Sequence, residues 1–524
     1  MSAHVCRAAA VSLTGLDGTV VMVEAAVSQQ LPGMAIIGLP DAALAEAKLR
    51  VRTATGQIGL PVSSRFVTVN LSPAALPKHG SGFDLAIALA ALAASQQVPE
   101  SDMSDTVHLG ELGLSGELRR PAGLLTAVVA ARAHGFARVM VPSSCVREAQ
   151  LVPGIEVVAV AGLLDAVAWY RGERRIAALS TGTPGRAEPR TSEAHASAAS
   201  HPTFAGDMSD VIGQPEAVEA LVVAAAGRHH LSLLGPPGAG KTLLATRLTT
   251  ILPPLTDDEA LQASCIASLG GDTLTSLVRT PPFESPHHTA STVAIIGGGH
   301  GSAVRPGAIT RACHGTLLMD EAPEFNRDVL EALRQPLESG TVEIHRSNVR
   351  AVLPARFQLV LASNPCPCGN AGSVETAIQC TCTPIARMRY QQRISGPLSD
   401  RIDLRLNLHR VSQALVNADP GHRPTSAQLR ERVIAARSRT AHRLRHTPWR
   451  VNAEVPGTML RGAFKLDRAD TAVLDQAYAR GAITMRGYDR ALRIAWSVAD
   501  LAGIPRPGRP ELAQALALRG GDRT

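Results

Sequence analysis

The chain has 524 residues, of which 45% are hydrophobic and 3% aromatic, so aliphatic side chains and alanine must fill its cores. This length predicts two or three domains. The net charge of +7 excludes a strongly acidic chain, but so small an excess does not by itself indicate a nucleic-acid partner. We expect a cytoplasmic protein without a membrane segment, because no apolar run reaches membrane-spanning length and the N-terminus has no signal-peptide pattern.

Residues 1–171 alternate short β-like runs with helical runs, which predicts an α+β domain. Strands are expected at 20–27, 66–71 and 139–142, and helices at 44–58, 84–93 and 124–134. The stretches 77–84 and 108–117 resemble the Lon protease-like fold, which is of the ribosomal S5 domain 2-like type. That family works through a Ser–Lys dyad, but Gly82 and Leu125 occupy the two positions here. We therefore expect a scaffold that is not a peptidase.

Three further segments follow along the chain. Residues 172–207 are rich in Ser, Thr, Ala, Gly and Pro, which predicts a flexible linker. Residues 208–410 alternate strands and helices around a glycine-rich loop, as a parallel α/β sheet does. Residues 411–524 are predicted to be all-helical and to form a lid. The fold class is therefore α/β, with an α+β N-terminal domain, a linker, and a P-loop α/β domain that carries a helical lid.

The glycine-rich loop follows the apolar run 231–234 and is a complete Walker A motif. Its residues are Gly235, Pro236, Pro237, Gly238, Ala239, Gly240, Lys241 and Thr242. The glycines let backbone N–H groups close around phosphate oxygens, and the next helix points its positive N-terminus at them. The motif predicts ATP as the nucleotide, with Lys241 on the β- and γ-phosphates and Thr242 on Mg²⁺.

Two more apolar strands end in polar residues. The run 315–319 leads to Asp320 and Glu321, which form a Walker B motif in which Asp320 holds Mg²⁺ and Glu321 polarises the attacking water. The run 359–363 leads to Asn364, where AAA+ ATPases carry sensor 1. An AAA+ P-loop ATPase is therefore predicted. The segment 210–214 resembles the part of such ATPases that packs near the adenine.

Two arginines complete the expected site. Arg401, in the segment 398–403, resembles an arginine finger that is offered to the γ-phosphate in a neighbouring subunit. The alternative is a surface arginine in a loop before a strand. Arg486 opens a helix and resembles sensor 2 of a lid, although Arg490 and Arg493 lie on the same helix.

Several stretches without catalytic residues resemble the ComM/YifB family of bacterial AAA+ proteins, which are akin to the ATPase subunit of magnesium chelatase. They are Pro-Pro-Phe-Glu-Ser-Pro-His-His at 281–288, Ile-Gly-Gly-Gly at 296–299, Arg-Pro-Gly at 305–307, 333–340, 364–369 and 394–403. The resemblance covers nearly the whole chain. It implies a hexameric ring and, as in ComM, a helicase that promotes branch migration of DNA in natural transformation. His287 and His288 are taken as structural or as part of a pore insert.

The resemblance also implies a hairpin before sensor 1, and residues 342–352 have β-prone arms around Ser-Asn. Arg346 and Arg350 could then contact single-stranded or branched DNA in a central pore. The alternative is a solvent-facing hairpin. Further on, seven arginines between 430 and 450 predict either a DNA contact or a solvated basic lid surface.

Four cysteines form two Cys-x-Cys pairs: Cys366, Cys368, Cys380 and Cys382. Four thiolates can close a tetrahedral zinc site. Free thiols on a loop and an iron–sulfur cluster are the alternatives.

The competing functions are a DNA motor, a chelatase-like ATPase that remodels a protein partner, and a non-enzymatic scaffold. Intact Lys241, Glu321 and Arg401 argue against the scaffold.

Overall fold

The computed structural model describes residues 5–28, 31–38, 41–62, 66–73, 78, 81–173, 206–299, 304–346, 349–371, 379–411 and 423–520. Of the predicted linker, only residues 172, 173, 206 and 207 fall within these ranges, so that prediction lies outside the described residues. Among the described helices, none is both long enough and apolar enough to cross a bilayer.

The first unit is built on a mixed sheet. Its strands are β1 (Val5–Thr14), β2 (Asp17–Ser28), β3 (Gly33–Ile37), β4 (Phe66–Ser72), β5 (Thr106–His108), β6 (Glu111–Leu112), β7 (Leu118–Arg119), β8 (Arg138–Pro142) and β9 (Glu156–Val160). Seven of them pair in the order β3-β4-β2-β1-β5-β8-β9, and β6 pairs with β7. β1 and β2 form a long antiparallel hairpin, whereas β5, β8 and β9 are parallel to β1.

Helices cover this sheet. They are α1 (Asp41–Gln57), α2 (Asp84–Ala94), α3 (Leu124–Ala133), α4 (Val146–Ala149) and α5 (Leu163–Tyr170). Every residue of α2 except the last is buried, as expected of a helix that is apolar on all sides. The three predicted strands and three predicted helices of this region are confirmed to within a few residues at each end.

The second unit contains a five-stranded sheet. Its region has the strands β10 (Leu231–Leu234), β11 (Phe283–Glu284), β12 (Gly297–Gly298), β13 (Arg305–Pro306), β14 (Thr316–Met319), β15 (Thr341–Arg346), β16 (Val349–Pro354), β17 (Gln358–Ser363) and β18 (Leu404–Asn407). The sheet order is β11-β14-β17-β10-β18, and all of its pairs are parallel. β14 and β17 are buried throughout, which explains their continuous apolar sequences.

The carboxyl ends of these parallel strands meet at one edge of the sheet, where ligands usually bind. The connecting helices are α6 (Pro215–Gly227), α7 (Lys241–Ile251), α8 (Asp257–Gly270), α9 (Thr292–Ile296), α10 (Ala308–Arg311), α11 (Arg327–Ala332), α12 (Pro336–Ser339), α13 (Pro384–Gln391) and α14 (Gly396–Ser399). β12 pairs with β13 and β15 with β16, each pair antiparallel and outside the main sheet.

The described residues after 423 are helical, as predicted. The helices are α15 (Ser426–Arg443), α16 (Gly457–Leu460), α17 (Arg468–Ala479), α18 (Met485–Ala502) and α19 (Arg509–Leu518). Leu429 of α15 and Trp496 of α18 share one buried cluster with Val222 of α6 and Leu248 of α7. The C-terminal helices therefore share one hydrophobic core with the helices that flank the parallel sheet.

Three arginines of α15, Arg430, Arg432 and Arg439, are exposed, as expected of a solvated basic surface, but the protein itself also binds the arginines of this helix. Arg437 donates two hydrogen bonds to the carbonyl of Ala225, and burial lowers its pKa to about 10. Arg432 pairs with Glu219 at 2.8 Å. The arginines tied to other parts of the chain are Arg430, Arg432, Arg437, Arg439 and Arg443.

The first unit contacts the second around a buried ion pair. Both partners of this pair, Arg120 and Glu148, belong to the first unit. Glu148 is 1% exposed and receives hydrogen bonds from Arg120 and from the Ser268 hydroxyl of α8, at 2.8 and 2.6 Å. Arg120 also donates to the carbonyl of Asp272 at 2.6 Å. The backbone N–H of Leu125 donates to the same Ser268 oxygen. Because the carboxylate and its partners belong to both units, this cluster joins them.

Candidate active site

The Walker A loop lies between β10 and α7. Gly238 and Gly240 have φ angles of 79° and 80°, in the left-handed region that glycine adopts without strain. A Cβ on Gly235 would meet the carbonyl oxygen of Leu408 at 2.8 Å, so this position also requires glycine. A Cβ on Gly238 would meet no atom within 4 Å. The outer side of the loop is thus open where a phosphate would approach backbone N–H groups.

Lys241 is held at the mouth of this loop. Its Nζ donates to the carbonyls of Gly235 and Pro236, at 2.7 and 3.0 Å, and to Oδ1 of Asn364 at 3.0 Å. Burial lowers the pKa of Lys241, and the nearby carboxylates of Asp320 and Glu321 oppose this effect. The predicted sensor 1 residue and the predicted phosphate-binding lysine therefore lie in direct contact.

The Walker B residues face the same place. The Thr242 hydroxyl donates to Oδ2 of Asp320 at 2.8 Å, and the backbone N–H of Glu321 donates to Oδ1 of Asp320 at 2.9 Å. Glu321 has a φ angle of 52°, an uncommon backbone conformation for a residue with a side chain. Such a turn directs two consecutive acids out of the end of β14 into one site.

These groups line a cavity of about 450 Å³. Its wall is formed by Pro237, Gly238, Lys241, Thr242, Ser285, Pro286, His287, His288, Asp320, Glu321 and Asn364. The two histidines come from the loop after β11, and Nδ1 of His288 lies 3.5 Å from Oε2 of Glu321. Sequence reasoning treated both histidines as structural or as part of a pore insert. The structure adds that both lie at the wall of this cavity, because β11 is the neighbour of β14 in the sheet.

The cavity fits a nucleotide with its magnesium ion. The open loop supplies backbone donors and a lysine for phosphates, and Thr242 with Asp320 supplies the hydroxyl and carboxylate oxygens that Mg²⁺ prefers. The segment before α6 touches the same loop, since Gln214 donates to the carbonyl of Ala239 at 2.9 Å.

Comparison with known proteins agrees with this geometry. The family model "Magnesium chelatase, subunit ChlI" matches residues 207–416, "Subunit ChlI of Mg-chelatase" matches 23–145, and "Magnesium chelatase, subunit ChlI C-terminal" matches 423–519. Competence protein ComM of Haemophilus influenzae is 37% identical over 510 residues, which are 96% of this chain and 95% of that protein. The chain belongs to the ComM/YifB family of magnesium chelatase-like AAA+ proteins.

Other members of the ComM/YifB family align over a similar length. The uncharacterized protein YifB of Escherichia coli is 36% identical over 97% of this chain and 96% of its own. An uncharacterized protein of Mycobacterium tuberculosis is 45% identical over 98% of both chains. The family identifies the chain as an ATPase of the magnesium chelatase-like AAA+ type, with a site for ATP and Mg²⁺.

The predicted arginine finger, Arg401, is bonded to residues of its own chain. Arg401 is 8% exposed, and its guanidinium donates to the carbonyl of Pro397 and pairs with Glu338. A finger has to reach the nucleotide of a neighbouring subunit, so this role stays a prediction that requires Arg401 to leave Glu338.

The structure distinguishes the three arginines of α18. Arg490 pairs with the buried Asp403 at 2.5 Å, and Arg493 donates to the carbonyl of Val455 at 2.7 Å. Both therefore hold α18 in place. Arg486 is exposed in the first turn of the helix, and its role as sensor 2 stays a prediction.

The four cysteines come together directly after Asn364. Their sulfur atoms lie within 4.8 Å of one another, with separations of 3.4, 3.5 and 3.7 Å among Cys366, Cys368 and Cys380. A tetrahedral zinc site with Zn–S bonds of about 2.3 Å has sulfurs about 3.8 Å apart. The Cys366 thiol is buried and also receives the N–H of Ala371. This donor set fits a tetrahedral metal ion.

The cysteine turn touches the ATP site. Gly369, at a φ angle of 79°, is so close to Pro237 of the Walker A loop that a Cβ there would lie 2.5 Å from Cδ of the proline.

The two positions that correspond to the Ser–Lys dyad lie in the first unit. Leu125 is fully buried, and a Cβ on Gly82 would lie 3.6 Å from Pro121. Neither of these two positions carries a nucleophile or a base.

Proposed function

We propose that the protein hydrolyses ATP and uses the energy as a DNA motor, a homo-hexameric helicase that promotes branch migration during DNA uptake or recombination. The observation that carries the ATPase part is the convergence of Lys241, Thr242, Asp320, Glu321 and Asn364 on one cavity at the carboxyl edge of the parallel sheet. A scaffold protein would not need all five groups to line one cavity.

Each of these residues has a distinct task in hydrolysis. Lys241 exchanges the carbonyls of Gly235 and Pro236 for the β- and γ-phosphates, which are stronger partners for an ammonium group. Thr242 and Asp320 would hold Mg²⁺, whose charge neutralises phosphate oxygens when it is bound. Glu321 orients and polarises the attacking water. Asn364, already bonded to Lys241, is placed to hold the water or the γ-phosphate from the other side.

Three observations support DNA as the partner. A relative that aligns over nearly the whole chain is named a competence protein. The predicted hairpin is present as β15 and β16, in which His345 faces Arg350 across the strands. Arg350 is 66% exposed and pairs with Glu343 at 3.0 Å, so it can exchange this carboxylate for a DNA phosphate. The Arg346 side chain lies outside the described residues, and its DNA contact is proposed from its position at the end of β15, opposite Val349.

The remaining parts of the proposal concern the architecture. Residues 1–171 would form an inactive Lon protease-like domain, 208–410 the AAA+ core and 411–524 a lid, with the protein in the cytoplasm. Zinc is proposed for the four cysteines because the sulfur separations match a tetrahedral thiolate site. Its role there is structural, since four protein ligands leave no open position.

A chelatase-like motor that remodels a protein partner is the second candidate. It is favoured by the three magnesium chelatase family models, which together match residues in every major part of the chain. The two candidates share the ATP site and differ only in what stimulates hydrolysis.

Steady-state ATPase activity, with and without single-stranded and branched DNA, tests the proposal. Glu321→Gln serves as the blank, and native mass spectrometry of this variant with ATP gives the number of subunits. We expect DNA to stimulate the wild type and the double variant Arg346→Ala/Arg350→Ala to lose this stimulation while it keeps basal turnover. ATPase activity that is indifferent to every DNA would favour protein remodelling, and no turnover at all would reject the ATPase.

A further inference from the structure

We infer that His288 is a positioning residue for the catalytic base Glu321, so that ATP hydrolysis depends on this histidine. The inference rests on the proposed ATPase activity. It starts from a contact outside the Walker motifs, in which Nδ1 of His288 lies 3.5 Å from Oε2 of Glu321.

The pairing of two strands in the sheet places His288 beside Glu321. β11 and β14 are adjacent parallel strands, with Phe283 opposite Thr316 and Glu284 opposite Leu317. Chains that leave parallel neighbours exit at the same edge, so the loop after β11 and the Walker B acids after β14 are led into one space. His288 follows Glu284 by four residues and Glu321 follows Leu317 by four, which places the two side chains side by side.

Two neighbours hold the imidazole ring. The ring of His287 lies 4.1 Å from it, and the ring of Phe325, which follows the Walker B turn, meets it edge-on at 6.5 Å. The next residues fix the loop, because the Thr289 hydroxyl lies 2.9 Å from Nδ1 of His287. The ring is 33% exposed and therefore lies at the cavity wall, between the packed loop and the open space.

The chemistry of the base explains why such a partner is useful. Glu321 leaves β14 through a left-handed backbone conformation, and 54% of its side chain is exposed, so packing alone does not select one rotamer. In the tautomer with the proton on Nδ1, the imidazole can donate to Oε2 of Glu321 once the two atoms close slightly from their 3.5 Å separation. The other carboxylate oxygen then remains for the attacking water. A base that is misplaced by about 1 Å can lose about 100-fold in rate.

The contact also leaves nucleotide binding to other groups. The phosphate-binding contacts belong to the Walker A loop and to Lys241, which is bonded to Gly235, Pro236 and Asn364 and not to His288. Loss of the imidazole should therefore lower turnover while the affinity for ATP stays nearly unchanged. This separation distinguishes a positioning residue from a residue needed for folding or for binding.

The test compares His288→Ala, His288→Asn and Glu321→Gln with the wild type. His134→Asn, on an exposed histidine of the first unit, is the matched control. The measurements are kcat, KM for ATP, and the dissociation constant of a fluorescent ATP analogue. We expect His288→Ala to lose roughly 10- to 100-fold in kcat with less than about a threefold change in affinity. His288→Asn should recover much of the loss, because its amide nitrogen occupies nearly the place of Nδ1.

The inference is overturned if an active wild type is accompanied by an equally active His288→Ala. It is also overturned if the alanine variant loses affinity in proportion to kcat, or if asparagine rescues nothing. A wild type that does not hydrolyse ATP in the same assay rejects the proposed ATPase itself, and the role of His288 with it.

Discussion

Arg120→Ala should destabilise the protein at the buried ion pair that lies where its two units meet. The substitution removes the guanidinium that donates to both oxygens of Glu148, at 2.8 and 2.9 Å, and to the carbonyl of Asp272. Glu148 cannot reach water, since its side chain is 1% exposed. Its remaining side-chain donor among the described contacts is the hydroxyl of Ser268. The variant therefore leaves a buried carboxylate without its counter-ion.

The expected cost follows from this burial. Removing one partner of a buried ion pair destabilises a protein by about 3–5 kcal/mol, because the other charge stays desolvated. For a unit of this size, about 2–4 °C of melting temperature corresponds to each kcal/mol, so the transition should fall by roughly 6–20 °C. The neighbouring Arg119 is the matched control, since its pair with Glu117 is 64% and 52% exposed. Arg119→Ala should cost about 0–1 kcal/mol.

Differential scanning calorimetry and urea unfolding of the full chain would measure these changes. The double variant Arg120→Ala/Glu148→Gln provides a sharper test, because it removes the uncompensated charge and keeps an oxygen that can accept from Ser268. We expect it to be more stable than Arg120→Ala alone. The reasoning would be refuted if Arg120→Ala cost no more than Arg119→Ala, or if the second substitution added its own destabilisation to the first.

Three further predictions concern other parts of the core. Purified protein should contain about one zinc ion per chain by elemental analysis, and Cys366→Ser should release it; metal-free wild type would contradict the zinc proposal. Gly369→Ala should raise KM for ATP, because its Cβ would displace Pro237, whereas Gly135→Ala, also at a positive φ angle but with open space around it, should not. Stability should be greatest between about pH 4.5 and 6.5, as judged by melting temperature, because the half-buried Glu259 pairs with the buried His314.

The sign of this pH dependence follows from the two pKa values. Burial alone would raise the pKa of Glu259, but the hydrogen bond from His314 and the charge of Arg228 hold it at about 2. The stabilisation is present above pH 4.5, the ordinary value, and is lost as the pH falls toward 2. Burial alone would lower the pKa of His314, but its hydrogen bonds with Cys313 and Glu259 raise it to about 9. That stabilisation is present below pH 6.5 and is lost as the pH rises to 9, so His314→Gln should flatten the alkaline loss.

The sequence by itself was sufficient wherever a function depends on consecutive residues. The Walker A loop, the acids after β14 and the amide after β17 were predicted because strand, turn and side-chain chemistry are all encoded within a few positions. The hairpin of β15 and β16 was predicted from the family resemblance, and the β-prone arms around Ser-Asn at 342–352 agreed with it. These elements depend on local backbone preferences and on the rule that parallel strands end at one edge.

Only the tertiary structure decided which distant side chains meet. Arg120 contacts Ser268 across 148 positions, and Arg430 and Arg437 of α15 donate to carbonyls of helices 180 and 212 positions earlier. A run of arginines has the same sequence whether its side chains contact solvent, DNA or carbonyl oxygens of the protein. His288 reaches Glu321 because β11 pairs with β14, and strand order in a sheet is set by packing of the whole domain. The physical reason is that burial and pairing depend on what the rest of the chain places opposite each residue, which local sequence does not encode.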